Sequence, residues 1–370
     1  MSVARLLTRC RLRPTSAPLL GAELSSSASP SSSSPGRPLS AASCPLSYRS
    51  EPSLLSATPA TPTQPVVYVA GGLYGNRFAL DEIERLRSHD EPSSVVFNGD
   101  FNFFNSEPEV FREVNGRVLA EDPDSLATAG NVEREISSPS FSSCGCAYPS
   151  YVSPAVASRA DAIVSSLHGT CRTSPFGPAL AALPSLLRVS LHGAEVGVVH
   201  GDLGSLAGWS LAAEMMDPPD RALRAALGIP PSAKPTPAAQ VAGQLKEAGV
   251  DVLCCTHTCL AFLQTFAGGS AVVNNGSAGM GNFRGSGAGV VTRLGRAGGE
   301  LAGEVAGRVL YETTVGDLRV SAVEVAFDEE AWREEFLSAW GPGSPAHESY
   351  WDRITGGVQF WEPRQALRTY

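Results

Sequence analysis

The sequence has no run of eighteen apolar residues, so a membrane-spanning helix of ordinary length is excluded. It has no basic stripe either; the formal net charge is −9, and neither nucleic acid nor a membrane is an expected partner. Standard zinc-ribbon cysteine spacings are absent, as are the glycine spacings of a P-loop or a dinucleotide fingerprint. Charged residues make up 18% of the chain and hydrophobic ones 43%. Its 370 residues therefore suffice for one large domain or two ordinary ones with a full core.

Acidic residues are scarce at the start of the chain. Residues 1–64 hold six Arg (Arg5, Arg9, Arg11, Arg13, Arg37 and Arg49) against Glu23 and Glu51, a net of +4 that leaves −13 for the rest. On a helix, Arg5, Arg9 and Arg13 would form one stripe opposite Val3, Leu7 and Cys10, ending at Pro14. A basic, Ser-rich, acid-poor start is what organelle import machinery reads, and no uninterrupted apolar core follows the Arg to suggest secretion. Ser25–Gln64 is dominated by Ser, Pro, Ala and Thr and cannot offset its own ordering entropy. We expect residues 1–64 to be a disordered transit peptide and linker, or a plain disordered tail. The implied destination is an organelle matrix, the mitochondrion ahead of the chloroplast, with the fold beginning at residue 65.

Six cysteines remain beyond that segment: Cys144-Gly-Cys146, Cys171, Cys254-Cys255 and Cys259. A reducing matrix and a large core make buried free thiols the default.

Short apolar runs end repeatedly on polar residues. Val66–Ala70 precedes Gly71-Gly72-Leu73-Tyr74-Gly75-Asn76, and Val95–Phe97 stops at Asn98-Gly99-Asp100. Leu126–Ala129 leads to Gly130-Asn131-Val132-Glu133, Val196–Val199 to His200-Gly201-Asp202, and Val250–Cys255 to Thr256-His257-Thr258-Cys259. Helical periodicity covers Glu107–Leu119, Ala155–Leu167 and Ala238–Ala248, so the alternation predicts an α/β fold. Open α/β sheets bind ligands beyond the carboxyl ends of their strands. Four of the five ends carry a metal-competent side chain: Asp100, Asn131, His200 and His257. One carboxylate, one amide oxygen and two imidazoles suit Mn, Fe, Zn or Ni better than Ca or Mg.

The ordered set Gly99-Asp100, Gly130-Asn131-x-Glu133, His200-Gly201, His257-Thr258 and Asn274-Asn275-Gly276-Ser277 resembles the calcineurin-like metallophosphoesterase family over residues 65–295. The resemblance implies a four-layer α-β-β-α sandwich of two mixed sheets flanked by helices. It also implies two metals about 3–4 Å apart, bridged by an Asp, and attack on phosphorus by a metal-activated hydroxide. The substrate would be a small phosphodiester or phosphomonoester. Asp100, Asn131, His200 and His257 match the second metal's ligands position for position, and Asn131, Glu133 and His200 fall in the catalytic motifs.

The first metal's ligands are replaced. Gly72 and Tyr74 stand where the family has Asp and His, Cys259 stands where it has the last His, and Val132 where it has the proton-donating His. Four readings follow: a single-metal hydrolase; a first site rebuilt from Tyr74, Cys259 and Cys144 or Cys146; a catalytically inactive scaffold that binds a protein partner; or a nucleotide binder. The losses cluster on one metal, which favours an enzyme over a scaffold. Around the site, Trp209 is a candidate lid residue, Asp202 a candidate support for His200, and Arg284, in a Gly-rich stretch read as flexible, a candidate phosphate contact. The end of the chain, residues 328–370, reads as a helix over Glu329–Ala339 and an aromatic tail packed on the domain, which itself spans residues 65–327.

Overall fold

A computed structural model describes residues 45–370, Glu91 excepted. Its strands are β1 (Val66–Ala70), β2 (Ser93–Asn98), β3 (Ser125–Thr128), β4 (Leu186–Leu191), β5 (Ala194–Val199), β6 (Val252–Cys255), β7 (Phe262–Thr265), β8 (Ala271–Asn274), β9 (Gly289–Arg296), β10 (Val309–Val315), β11 (Leu318–Val325) and β12 (Leu367–Thr369). They form two mixed six-stranded sheets, ordered β10-β11-β9-β1-β2-β3 and β12-β7-β8-β6-β5-β4. In the first sheet β1, β2 and β3 run parallel while β9 is antiparallel to β1. In the second, β5, β6 and β8 run parallel between the antiparallel neighbours β4 and β7.

Strand alternation sorts the side chains into layers. In β1, Val67 and Val69 point into the core shared with Val196 and Val198 of β5 and Val272 of β8. Tyr68 and Ala70, one residue out of phase, point to the other face, against the helices Arg77–Ser88, Pro108–Val118 and Pro154–Arg172. Both faces of β1 are thus buried, which is why its sequence is a continuous apolar run rather than an alternating one.

The expectation that the fold begins at residue 65 needs correcting. A turn at Leu46–Tyr48 and a helix at Pro52–Ala57 are docked on the body. Leu55 is buried in the core with the second sheet, Thr61 N donates to Arg188 O at 2.7 Å, and the Tyr48 hydroxyl donates to Glu135 Oε1 at 2.6 Å. Composition rightly says that such a segment cannot fold alone, but two apolar anchors and a few hydrogen bonds tie it to a sheet that already exists. The amphipathic Arg stripe within residues 1–13 lies outside the described residues.

Two further segments differ from expectation. The Gly-rich stretch after β8 is packed, with Ser277, Ala278, Met280 and Asn282 buried, and Asn282 bonds Ser277 and Met280. Residues 328–370 are more than a docked tail. Helix Glu329–Ala339 buries Trp332 and Phe336, helix Pro345–Gly356 buries Tyr350 and Arg353, and β12 joins the second sheet beside β7. All six cysteines among the described residues are free and buried, as their spacing implied.

Candidate metal centre

The loops after β1, β2, β3, β5 and β6 converge on one end of the two sheets. Asp100 follows β2 in a left-handed conformation (φ 55°). Its Oδ1 accepts from Val132 N at 3.2 Å, and its Oδ2 lies 3.3 Å from His200 Nε2. Asn131 opens the helix Asn131–Ile136, and its Nδ2 donates to Cys144 O at 2.8 Å, which turns Oδ1 to within 3.2 Å of His200 Nε2. Gly130 has to be glycine, because a Cβ there would collide with Asp100 and come within 2.9 Å of His200 Cε1.

The hydrogen bonds also fix the imidazole tautomers. His200 Nδ1 is 2.9 Å from Asn98 O and His257 Nε2 is 3.0 Å from Cys146 O, so those nitrogens carry the protons. The other two nitrogens, His200 Nε2 and His257 Nδ1, face each other at 3.3 Å. Asp100 Oδ2, Asn131 Oδ1, His200 Nε2 and His257 Nδ1 therefore gather as acceptors, with no donor of their own between neutral side chains. Asp100, His200 and His257 are all buried, and their ligand atoms lie within 4.8 Å of one another. A divalent cation fits this donor set: it supplies the positive charge that four gathered lone pairs require.

The same crowding sets the protonation energetics. Burial opposes charge on Asp100, but His200, His257 and the Val132 amide together outweigh it and hold the carboxyl below its usual range. His200 is likewise pushed down by burial, but Asp100, the Asn98 carbonyl and Glu133 together push it up further, so that its pKa is raised. His257 falls to about 4 through burial and repulsion from His200, which keeps it neutral and able to ligate. Glu133 rises to about 7 through burial and the Asp100 charge.

Glu133 does not reach the cavity. Its Oε2 accepts from Asp100 N at 2.7 Å and Gly130 N at 3.0 Å, so it binds together the backbone of the two ligand loops. Asp202 does not support His200; it accepts from Gly204, Ser205 and Ser210 within its own turn, and the Asn98 carbonyl orients the imidazole instead. Asn274 and Asn275 bond Thr258 and Thr256, bracing the last ligand loop. Arg284 pairs with Glu362 at 3.5 Å, away from the centre.

The first-metal position is filled by protein. A Cβ on Gly72 would sit 2.5 Å from Tyr74 Cζ, so the Tyr74 ring occupies the space of the missing carboxylate. The Tyr74 hydroxyl contacts Cys259 Sγ. Burial drives the Tyr74 phenol well above its ordinary range and the Cys259 thiol up to about 12, which keeps both protonated. Among the described residues no second group of three metal-ligating side chains accompanies Asp100, His200 and His257. Tyr74 and Cys259, both held protonated, thus do not form a metal site by themselves.

The cavity beside the centre, about 50 Å³, is walled by Phe103, Tyr148, Trp209, Met280 and Tyr350. Cys146 lines it as well, which sequence spacing could not place. Trp209 is held by a 2.9 Å bond from Nε1 to Cys146 O and meets His257 edge to face at 5.4 Å. Tyr74, Asp100 and Cys259, three of the five described non-glycine residues with left-handed backbone, line this cavity. Such conformations cost of order 1–3 kcal/mol each, and here they gather around one cavity.

Two stacked mixed sheets, flanking helices and ligand residues on successive strand ends reproduce the arrangement implied by the motifs. The fold is an α/β sandwich of two mixed six-stranded sheets flanked by helices. No family model and no curated protein matches the sequence. Solved structures similar to this chain include a hypothetical protein of Pyrococcus horikoshii (15% identity, TM-score 0.49, covering 80% of this chain and 99% of that one). They also include a metallophosphoesterase of Sphaerobacter thermophilus (14%, 0.44, 80% and 100%) and Vps29 of Chaetomium thermophilum (14%, 0.33, 63% and 82%).

Proposed function

We propose that the protein is a metal-dependent phosphoesterase that works with one metal ion. The observation that carries this reading is the convergence of Asp100 Oδ2, Asn131 Oδ1, His200 Nε2 and His257 Nδ1, with every remaining polar atom of those side chains engaged elsewhere or turned away. These four residues would hold a divalent transition metal, with Mn, Fe and Zn the candidates their chemistry favours. Such an ion, when bound, polarises a phosphoryl oxygen and makes a water acidic enough to attack near neutral pH.

The chain's own residues then decide which esters react. Trp209, Tyr148 and Tyr350 offer flat apolar walls to a leaving group and exclude bulk water. Val132 is fully buried and carries no proton, and Glu133 is committed to backbone amides. Neither residue is therefore placed to protonate a departing alkoxide. General acid catalysis is worth about 10²–10⁴-fold, so aryl esters and phosphoanhydrides should greatly outpace alkyl esters.

The test combines metal content with turnover of a nitrophenyl phosphate. The wild-type protein should carry about one equivalent of metal, and His257→Ala or Asp100→Ala should lose both the metal and several orders of magnitude of activity. A metal-free, inactive wild type after Mn²⁺, Zn²⁺ and Fe²⁺ supplementation would favour the scaffold instead.

A further inference from the structure

Arg353 is a buried arginine with no carboxylate beside it. It lies on helix Pro345–Gly356, is 5% exposed, and lines the same cavity as Asp100 and His257. Its Nε donates to Gly281 O at 2.8 Å and one terminal nitrogen donates to Cys259 O at 2.6 Å. Those two carbonyls hold the guanidinium in place without neutralising it. Among the described residues its other terminal nitrogen, Nη1, shows no hydrogen bond, and no carboxylate pairs with Arg353. Arg is almost never buried unless paired, because the desolvation of an uncompensated guanidinium is expensive.

We propose that Arg353 is the anion-binding group of the cavity and that its ligand is the dianionic phosphoryl group of a phosphate monoester. This deepens the phosphoesterase reading and rests on it for the monoester assignment. Arg353 stands beside Tyr74 and Cys259, the residues that fill the first-metal position, so a fixed guanidinium supplies positive charge where that metal's charge is missing. A divalent ion and Arg353, set against the single carboxylate of Asp100, leave a surplus of two positive charges. A monoester phosphoryl group carries about −1.5 to −2 at neutral pH, whereas a diester carries one charge. Guanidinium also presents its donors in a fork that matches two phosphoryl oxygens, which an ammonium does not. Thr258, on the same cavity wall, adds a hydroxyl.

The probe is inorganic phosphate, titrated calorimetrically into the full chain, metal-free and Mn²⁺-loaded, with dimethyl phosphate as the singly charged control. Wild type should bind phosphate in both states, more tightly with Mn²⁺, and should bind dimethyl phosphate at least tenfold more weakly. Arg353→Met should weaken phosphate binding at least tenfold while its Mn²⁺ stoichiometry stays at the wild-type value, and Arg353→Lys should recover part of the loss. Equal phosphate affinity in wild type and Arg353→Met would overturn the proposal, as would equal affinity for the two phosphates. Arg353 also braces two carbonyls, so the methionine variant could fail to fold. The thermal midpoint of the wild type in phosphate against dimethyl phosphate then decides the matter, and no selective rise overturns it. The two readings fail separately: phosphate binding by metal-free protein that never takes up Mn²⁺ upholds Arg353 and removes the metal site.

Discussion

Val132 and Gly72 differ from the family pattern by single residues, and each has a local physical consequence. At position 132 the backbone N–H still binds Asp100 Oδ1, so the loop geometry survives the loss of the imidazole. Val132→His should therefore flatten the dependence of rate on leaving-group pKa, with its largest gain on alkyl esters. A rate profile across a series of phenyl and alkyl phosphates measures this, and an unchanged slope would show that position 132 has no access to the leaving oxygen. At position 72 the conflict is steric. Gly72→Asp alone should destabilise the protein, because its Cβ meets the Tyr74 ring at 2.5 Å. The triple change Gly72→Asp, Tyr74→His and Cys259→His removes the ring and both protonated groups, and should raise metal content from about one equivalent to two. Elemental analysis of the purified variant is the check; a content still near one would mean that Arg353, rather than Tyr74, excludes the second ion.

Elements tie these residues together, and they were unequally legible in the sequence. β1, β2, β5 and β6 are buried on both faces and announce themselves as apolar runs, while the hairpin β7–β8 is marked by Gly268-Gly269. Helix Ala238–Ala248 ends at Gly249 in a left-handed cap and was readable to the residue. β4 and β10 are sheet-edge strands with several partly exposed positions, and β12 is a short edge strand, so their hydrophobic pattern is diluted. Four metal-ligand candidates could be read because strand ends converge by rule; Arg353 could not, because only the packing of a helix far along the chain brings it to the cavity. The strap at residues 45–57 was hidden by composition, and its contribution can be measured. Leu55 is 1% exposed in the core, so Leu55→Ala should cost about 2–5 kcal/mol in denaturant unfolding. Tyr48→Phe should cost about 1–3 kcal/mol by leaving the buried Glu135 without its donor. Losses near zero in both variants would mean that the strap is not docked in solution.

At the scale of the whole molecule, the centre imposes opposite pH limits on stability. His257 has its folded pKa depressed to about 4 from 6.5, first by burial and then by His200. The unfolded chain therefore binds the proton more readily, so stability from this group is complete above about 6.5 and is lost as pH falls through about 4. Asp100, also depressed, extends that loss further into acid. Glu133 behaves in the reverse sense. Its folded pKa of about 7, raised from 4.5 by burial and by the Asp100 charge, makes its contribution complete below about 4.5 and lost as pH climbs through about 7. His200, whose pKa is raised despite burial because Asp100 holds its proton, loses its contribution on the same alkaline side. Metal-free protein should thus show opposing trends between about pH 4 and 7, His257 raising the thermal midpoint and Glu133 lowering it, with His200 adding a decline on the alkaline side of 6.5. Metal binding adds to the acid limb, since ligation needs His257 and His200 unprotonated, and it should relieve the alkaline one by taking over the role of the His200 proton. Calorimetric midpoints in chelator, across pH 4 to 9, are the measurement. Glu133→Gln keeps an acceptor for the Asp100 and Gly130 amides but cannot ionise, so it should remove the opposing fall between about pH 4.5 and 7 and leave a steeper net rise over that range. A slope between pH 4.5 and 7 unchanged in Glu133→Gln would place the titrating group elsewhere and separate the stability of the ligand loops from the charge of this carboxylate.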